Sequence, residues 1–176
     1  MSIEELEVCI NTYGKDIYIF CKQLTCNLTE VEDLYQDTFL KAVEIMKDIH
    51  MDQNPKSYLL SITLRIWKNK KRKYAWRQRI ARMERWIEEK QKNNVTGVTS
   101  FLEERVLANE EKNIVEREVK KLNDKYRIPI YLYYMEDLSL NEIAKLLKIP
   151  EGTVKSRLHK ARKILKDKLE VIYFEE

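Results

Sequence analysis

Glycine and proline are scarce in this chain, with three of each among 176 residues. Together they make up about 3% of the sequence, against a typical usage of roughly 12%. Because sandwiches and doubly wound sheets need a turn residue every few positions, the shortage argues against those folds. It also argues against collagen-like and proline-rich disordered chains. A composition of 44% hydrophobic and 35% charged residues suits helices with one apolar and one solvated face. We therefore expect an all-α protein.

The chain also lacks a run of about 18 apolar residues, which a membrane-spanning helix would need. Its first residues lack the basic and then apolar profile of a secretory signal, and we expect a cytoplasmic protein. Three cysteines, Cys9, Cys21 and Cys26, lie near the N-terminus without a CxxC pair, far in sequence from His50 and His159. These cysteines could belong to a metal or redox site, but the spacing favours buried, reduced thiols.

Charge is segregated along the chain. Between residues 65 and 92, twelve Lys or Arg stand against three Glu, and between 145 and 168 nine stand against two acids. Two basic blocks indicate a polyanion contacted at two places, although each could be a solvated helix face. Between residues 29 and 52, seven acids stand against two lysines. A carboxylate face repels DNA, so the acidic helix is expected to bind a protein unless it is merely solvated.

Apolar periodicity predicts the helices. A stripe with steps of three and four residues predicts a first helix from Ile3 to Leu24. Thr29, with Glu32 three residues later, is the candidate N-cap of a second helix. Asn54 followed by Pro55 predicts the start of a third helix that continues into the first basic block.

A polar segment divides the sequence into two halves. Residues 91–105 are rich in Asn, Thr and Ser near Gly97, and they predict a flexible linker. We therefore expect two small helical domains, an N-terminal one over residues 1–90 and a C-terminal one over residues 106–176.

The stretch 137–159 carries the most specific pattern. Ser139 and Glu142 predict a capping box for one helix, and a turn through Pro150 leads into a second helix near Glu151. The second helix has apolar residues on one side and cations on the other. This arrangement predicts a helix-turn-helix whose second helix enters a DNA major groove. An ordinary helical hairpin with a basic face is the alternative.

These segments resemble a known family. The sequence LSLNEIAKLLKIPEGTVKSRLHKARKIL, within residues 122–169, resembles the C-terminal promoter-binding domain of bacterial extracytoplasmic-function sigma factors. EDLYQDTFLKAV, residues 32–43, is similar to the polymerase-binding helix of that family. NPKSYLLSI followed by KNKKRK is similar to its helix for melting and reading the downstream promoter element. The matches follow the order and spacing of the family over most of the chain.

The resemblance implies a dissociable subunit that makes core RNA polymerase promoter-specific. Its partners would be core polymerase, the −35 element as duplex, the −10 element as a melted strand, and an anti-sigma factor. The chain shows no P-loop, metal-ligand spacing or nucleophile–base pair. We therefore expect no enzyme activity, no cofactor, no metal and no small-molecule substrate.

Three sets of residues are candidates for these contacts. The upstream set, for the −35 element, comprises Ser139, Thr153, Lys155, Ser156, Arg157, His159, Lys160 and Lys163. The downstream set, for the −10 element, comprises Asp52, Gln53, Asn54, Lys56, Ser57, Tyr58, Arg65 and Lys68. Its amides, hydroxyls, aromatic ring and cations suit an unstacked single strand. The polymerase set comprises Asp33, Gln36, Asp37, Phe39 and Leu40.

Two other functions fit part of the sequence. A DNA-binding regulator could use the same helix-turn-helix without polymerase, but it would leave the acidic helix unexplained. A helical RNA-binding enzyme subunit would need a catalytic set that the sequence does not show.

Core or interface packing is at least as good an interpretation of Trp67 as base stacking.

Overall fold

The computed structural model describes residues 2–25, 27–45, 54–89 and 110–174, and this part of the chain is helical without a strand. The helices in chain order are α1 (Ile3–Leu24), α2 (Leu28–Glu44), α3 (Pro55–Glu89), α4 (Glu110–Lys121), α5 (Asp124–Tyr134), α6 (Leu140–Leu147) and α7 (Glu151–Phe174). The all-α prediction is confirmed. No helix of the described ranges is both long and apolar enough to cross a membrane. The predicted linker over residues 91–105 lies outside these ranges.

The predicted first helix has the bounds observed for α1, whereas the predicted cap of α2 is wrong. Asn27, not Thr29, is the N-cap of α2, because its side-chain oxygen accepts a hydrogen bond from the backbone N–H of Glu30 at 2.8 Å. Asparagine caps at least as well as threonine. Starting two residues earlier adds helical hydrogen bonds without losing the cap. Asn54 caps α3 as predicted, because its side-chain oxygen accepts from the N–H of Ser57 at 3.1 Å.

Helices α1, α2 and the first half of α3 form the N-terminal bundle. Its centre contains fully buried Phe20 of α1, Leu34 of α2 and Leu60 of α3. Trp67 is 9% exposed and belongs to this core, so the packing interpretation of Trp67 is confirmed. Beyond Trp67 the basic half of α3 leaves the bundle and is largely exposed through residue 83. The first half of α3 therefore anchors the helix, and the second half presents its cations.

Two of the three cysteines lie inside the N-terminal bundle. Cys9 and Cys21 are buried, with 1% and 0% exposure. Burial raises the pKa of both thiols, that of Cys21 to about 12. Both side chains are therefore neutral, poorly reactive core residues. Cys26 lies outside the described residues.

Helices α4–α7 form the C-terminal bundle, which contains the predicted helix-turn-helix. Ile143 of α6 and Val154 of α7 are completely buried against each other's helices. The hydroxyl of Ser139 accepts from the N–H of Glu142 at 3.3 Å, and the Glu142 carboxylate accepts from the N–H of Ser139 at 2.9 Å. This is the predicted capping box. Helix α6 ends at Leu147, its C-cap residue Lys148 has a left-handed φ of 55°, and α7 begins at Glu151.

We predict that truncating Leu34 will destabilise the N-terminal bundle. Leu34 is 1% exposed, so Leu34→Ala should lower the free energy of unfolding by about 2–5 kcal/mol. Leu40→Ala is the matched control, because Leu40 lies on the same helix with 64% of its surface exposed. It should change stability by less than about 0.5 kcal/mol. Denaturant unfolding followed by circular dichroism measures both. Equal losses would contradict the assignment of the core face of α2.

Candidate nucleic-acid interface

One face of α7 presents donors and cations to solvent. Lys155, Ser156, His159 and Lys163 are exposed and fall within about 100° of arc at 100° per residue. Val154 and Leu158, on the opposite side, are buried in the C-terminal bundle. Because the buried side fixes the rotation of α7, these four side chains point away from the bundle together. We call them, with the residues added below, the α7 face.

Two members of this face also make local contacts. The ammonium of Lys155 lies 2.9 Å from the carboxylate of Glu151, one turn earlier, and both side chains are substantially exposed. The hydroxyl of Ser156 donates to the carbonyl of Thr153 at 3.0 Å. Exposed pairs of this kind contribute little to stability, so both groups can exchange their partners for a ligand.

The remaining members of the upstream set lie elsewhere. Arg157 is half-buried and lines a cleft between α7 and α3. Lys160 lies at the flank, with its ammonium 6.0 Å from the centre of the Tyr126 ring. Thr153 is half-buried at the first turn of α7, and the Ser139 hydroxyl is engaged in the capping box of α6. The structure therefore brings together four of the eight predicted residues.

Two cations on the α7 face were missed by the sequence reasoning. Arg162 and Lys166 are exposed and lie seven and eleven residues after Lys155, which returns them to nearly the same angle. Lys166 forms a loose pair with Glu170 at 3.5 Å. The helical phase, carried past His159, is the signal that could have identified them.

The downstream set is divided between two sides of α3. Tyr58 and Arg65 are seven residues apart and lie on one side, where Arg65 is exposed and Tyr58 is half-buried against the core. Lys56 lies on the opposite side, with its ammonium between Asp16 and Glu136. Ser57 is half-buried in the first turn. Asp52 and Gln53 lie outside the described residues.

Asn54 and Lys68 have partners or neighbours in the C-terminal bundle. The side-chain amide of Asn54 donates to the carboxylate of Glu142. Lys68 is exposed but borders the same cleft as Arg157. Burial and the nearby guanidinium of Arg157 lower the pKa of Lys68, with Asp124 opposing the shift. Lys68 therefore lies near a second cation, Arg157, at the cleft between α3 and α7.

The polymerase set forms a face on α2 with one exception. Asp33, Gln36 and Leu40 are exposed on one side of the helix, and Asp37 beside them pairs with Lys70 of α3 at 2.6 Å. Phe39 is half-buried on another side, where its ring packs edge-on against Tyr35 with 4.9 Å between centroids. Phe39 therefore lies between the exposed side of α2 and its core-facing side and is separated in angle from Leu40.

The comparisons with known proteins match both bundles. The family model for sigma-70 region 2 matches residues 9–77, and the model for sigma-70 region 4 matches residues 112–165. The ECF RNA polymerase sigma factor SigW of Bacillus subtilis is 30% identical over 164 residues, which cover 91% of this chain and 86% of SigW. The chain belongs to the extracytoplasmic-function (ECF) RNA polymerase sigma factors.

Solved structures agree with this fold. Bartonella quintana RpoE, crystallised with the anti-sigma factor NepR, superposes with a TM-score of 0.71 at 21% identity, covering 96% of this sigma factor and 99% of RpoE. CnrH, solved in complex with the cytosolic domain of CnrY, superposes with a TM-score of 0.66 at 20% identity, covering 97% and 90% of the two chains. The match includes both helical bundles of this sigma factor.

The region 2 match of this sigma factor ends within α3. The match stops at residue 77, whereas α3 continues to Glu89. Tyr74 and Trp76, at the end of the matched part, are 61% and 63% exposed.

Among the described residues, no group of three or more His, Cys, Asp or Glu side chains could hold a metal ion.

We predict that the α7 face determines how this sigma factor binds duplex promoter DNA. Arg162→Ala and Lys163→Ala should each lower the slope of log K against log salt by about 0.9, the value for one phosphate contact. His159→Ala should change the preference between base pairs, by about 1–3 kcal/mol at one position. Titrations of holoenzyme on promoter duplexes at several salt concentrations measure both effects. Lys22→Ala makes an equal charge change at an exposed position of α1 and should leave the salt slope and the base-pair preference unchanged. If the α7 variants behaved like Lys22→Ala, the assignment of the α7 face would be refuted.

Proposed function

We propose that this ECF sigma factor binds core RNA polymerase and directs it to promoters, with a different bundle reading each promoter element. This proposal depends on one observation: the region 2 and region 4 matches fall in order on the two helical bundles, and exposed cations lie on α3 of the first and α7 of the second. In this proposal residues 1–90 bind polymerase and the −10 element, residues 91–105 link the domains, and residues 106–176 read the −35 element.

The α7 face is proposed to read the −35 element as duplex. A helix fits the major groove, where serine, lysine and histidine can reach base edges. Arg162 and Lys163 lie on the same exposed face, where they can hold the flanking phosphates. The capped α6 and the tight turn at Lys148 hold α7 at a fixed angle to its support.

The −10 element is proposed to bind α3 as a melted strand. Tyr58 and Arg65 share one side of the helix, and the cationic second half of α3 continues from them. Cations can follow the backbone, while the Asn54 amide and the Tyr58 ring can hold an unstacked base. Melting then uses the binding energy of the holoenzyme. The protein needs no catalytic group or cofactor of its own for this step, and we propose that it is not an enzyme.

The exposed acidic side of α2 is proposed to bind core polymerase. Asp33 and Gln36 offer charge and hydrogen bonds, and Leu40, 64% exposed beside them, offers an apolar contact. This combination suits a protein surface with cations around an apolar centre, and it would repel DNA. Since polymerase and chromosome share the bacterial cytoplasm, the protein is expected to act there.

An anti-sigma factor is a further proposed partner. The structurally similar RpoE was solved in complex with the anti-sigma factor NepR, and CnrH was solved in complex with the cytosolic domain of CnrY. An inhibitor that covers Asp33, Gln36 and Leu40 would compete directly with polymerase. A regulator that binds DNA without polymerase is the competing function, and co-purification with core polymerase distinguishes the two.

We predict that the α2 surface is required for holoenzyme assembly. Asp33→Lys combined with Leu40→Ala inverts one charge and removes the apolar contact, while it leaves the Asp37–Lys70 pair intact. Affinity for core polymerase should fall at least tenfold, about 1.4 kcal/mol, with an unchanged circular dichroism spectrum. Glu7→Lys, which makes the same charge change at an exposed position of α1, is the control. Normal assembly of the α2 double variant would exclude this surface.

We also predict that Asn54 reads a base in the melted strand. Asn54→Asp keeps an acceptor for the Ser57 N–H, so the cap of α3 survives, but it removes the amide donor. Open-complex formation on a duplex promoter should slow, and a pre-melted bubble should restore only part of the rate. Permanganate footprinting follows both templates. Complete rescue by the bubble would show that Asn54 opens the duplex without reading it.

A further inference from the structure

The cleft between α3 and α7 is large enough to hold a small molecule. Its volume is about 440 Å³, which falls within the range of ligand pockets, about 300–1,000 Å³. Residues of α3, α5, α6 and α7 line it. Trp67, Ile128, Pro129 and Leu147 supply the apolar part of its walls. We call this space the α3–α7 cleft.

Cations dominate the polar lining of the α3–α7 cleft. Five of its lining residues are Lys or Arg, and one, Asp124, is acidic. The Asp124 carboxylate already pairs with Lys71 of α3 and, at 2.8 Å, with Arg127 of its own helix. Its negative charge is therefore compensated before the other lining cations are considered. Those cations are Lys68, Arg72, Lys125 and Arg157.

Within the described residues, none of these four cations forms an ion pair with a carboxylate. Arg72 donates to the side-chain carbonyl of Asn69 at 3.4 Å, and the Lys125 ammonium lies 4.9 Å from the centre of the Tyr126 ring. Neither the amide nor the ring is negatively charged. Arg157 is half-buried, and a charge that leaves water without an anion to pair with is costly. The α3–α7 cleft therefore has an excess of positive charge.

Two of these cations lie close enough to repel each other. Lys68 of α3 and Arg157 of α7 line the same cleft. Burial and then the guanidinium of Arg157 lower the pKa of Lys68, while Asp124 opposes the shift. Repulsion between like charges is stronger in a partly desolvated space than in bulk water. An anion bound between these side chains would replace that repulsion with two attractions.

The α3–α7 cleft is separate from the proposed duplex-binding surface of α7. At 100° per residue, Arg157 lies at least about 100° from each member of the α7 face. A duplex that docks on the α7 face would therefore leave Arg157 in the cleft. The cleft is a second place where an anion can bind, and the α7 face does not account for it.

The lining of the cleft indicates the chemistry of a ligand. Guanidinium and ammonium groups bind phosphate, and an arginine can do so through two parallel N–H bonds. Four cations without carboxylate partners suit a ligand with several phosphate groups better than a single phosphate. The apolar walls at Trp67, Ile128 and Leu147 suit a flat ring next to those phosphates. A nucleoside triphosphate combines both parts in a molecule of the size that such pockets hold.

We propose that the α3–α7 cleft binds a nucleoside triphosphate, with the phosphates on Lys68, Arg72 and Arg157 and the base against the apolar wall. Lys125 extends the cationic lining on the side of α5. The inference is independent of the proposed function, because the free protein can bind the nucleotide without polymerase or promoter DNA. Either can therefore fail alone.

Titration calorimetry on the full chain tests the ligand class. ATP and GTP are the probes, with inorganic tripolyphosphate and adenosine as partial ligands, at about 0.15 M salt. A nucleotide should bind more tightly than tripolyphosphate, which lacks the ring, and adenosine, which lacks the charge, should not bind measurably. Binding of neither nucleotide, or equal affinity for nucleotide and tripolyphosphate, would overturn the proposal.

Variants test whether the cations of the cleft are responsible. Arg157→Ala should weaken nucleotide binding by about tenfold, the loss expected for a hydrogen bond to a charged group. Arg72→Ala should have a similar effect at an exposed position of α3, where truncation leaves the core intact. The control, Arg117→Ala, makes an equal charge change at an exposed position of α4 and should leave the affinity unchanged. If Arg72→Ala bound the nucleotide as tightly as Arg117→Ala, the site would be wrong.

Chemical labelling locates the bound nucleotide. At a nucleotide concentration about four times Kd, an acylating reagent should modify Lys68 and Lys125 about fivefold more slowly. Exposed Lys22 and Lys163 should react at unchanged rates. Equal protection of Lys163 would show a general attraction of anions to basic surfaces. Equal protection of Lys68 by oligo(dT) at the same phosphate concentration would show that the cleft takes a nucleic-acid strand. Either result would overturn the nucleotide site.

Discussion

The burial of the first half of α3 is the constraint on which the other surfaces depend. Leu59, Leu60 and Thr63 are almost completely buried between α1 and α2, and Trp67 closes the core at the next turn. Because a helix is rigid over this length, fixing its rotation there also fixes the cations that follow. A shift of one residue in this packing would rotate every later side chain by about 100°. The cations of α3 therefore point in a defined direction because the apolar residues before them are fixed in the core.

Local patterns in the sequence were sufficient to predict the helices and the helix-turn-helix. The apolar stripe gave the bounds of α1, and the spacing of Ser139 and Glu142 gave the cap of α6, because both signals depend on neighbours within two turns. The α2 cap failed because Asn27 and Thr29 are both good N-caps and the sequence contains no measure that separates them. Trp67 could be assigned to the core only once its neighbours were placed.

The site was predictable in composition but only partly in geometry. Helical phase places Lys155 and Lys163 on one face, and extending it adds Arg162, so that half of the interface follows from sequence spacing. The partners of Lys56 and Asn54 do not, because Glu136 and Glu142 lie 80 and 88 residues away in sequence. Contacts of such separation depend on how whole bundles pack. Periodicity within a helix carries no information about that packing.

The acidic helix α2 and the basic helix α3 contact each other within the N-terminal bundle. Asp37 of the acidic helix pairs with Lys70 of the basic helix at 2.6 Å, with both side chains about half exposed. Such a pair contributes little to stability in water, yet it fixes which carboxylate of α2 is neutralised and leaves Asp33 unpaired in the described contacts. The net negative charge of α2 therefore lies mainly on the part of its surface that faces away from α3. A protein partner that approaches α2 from the side away from α3 would contact Asp33 and Leu40 before it contacted Lys70 of α3.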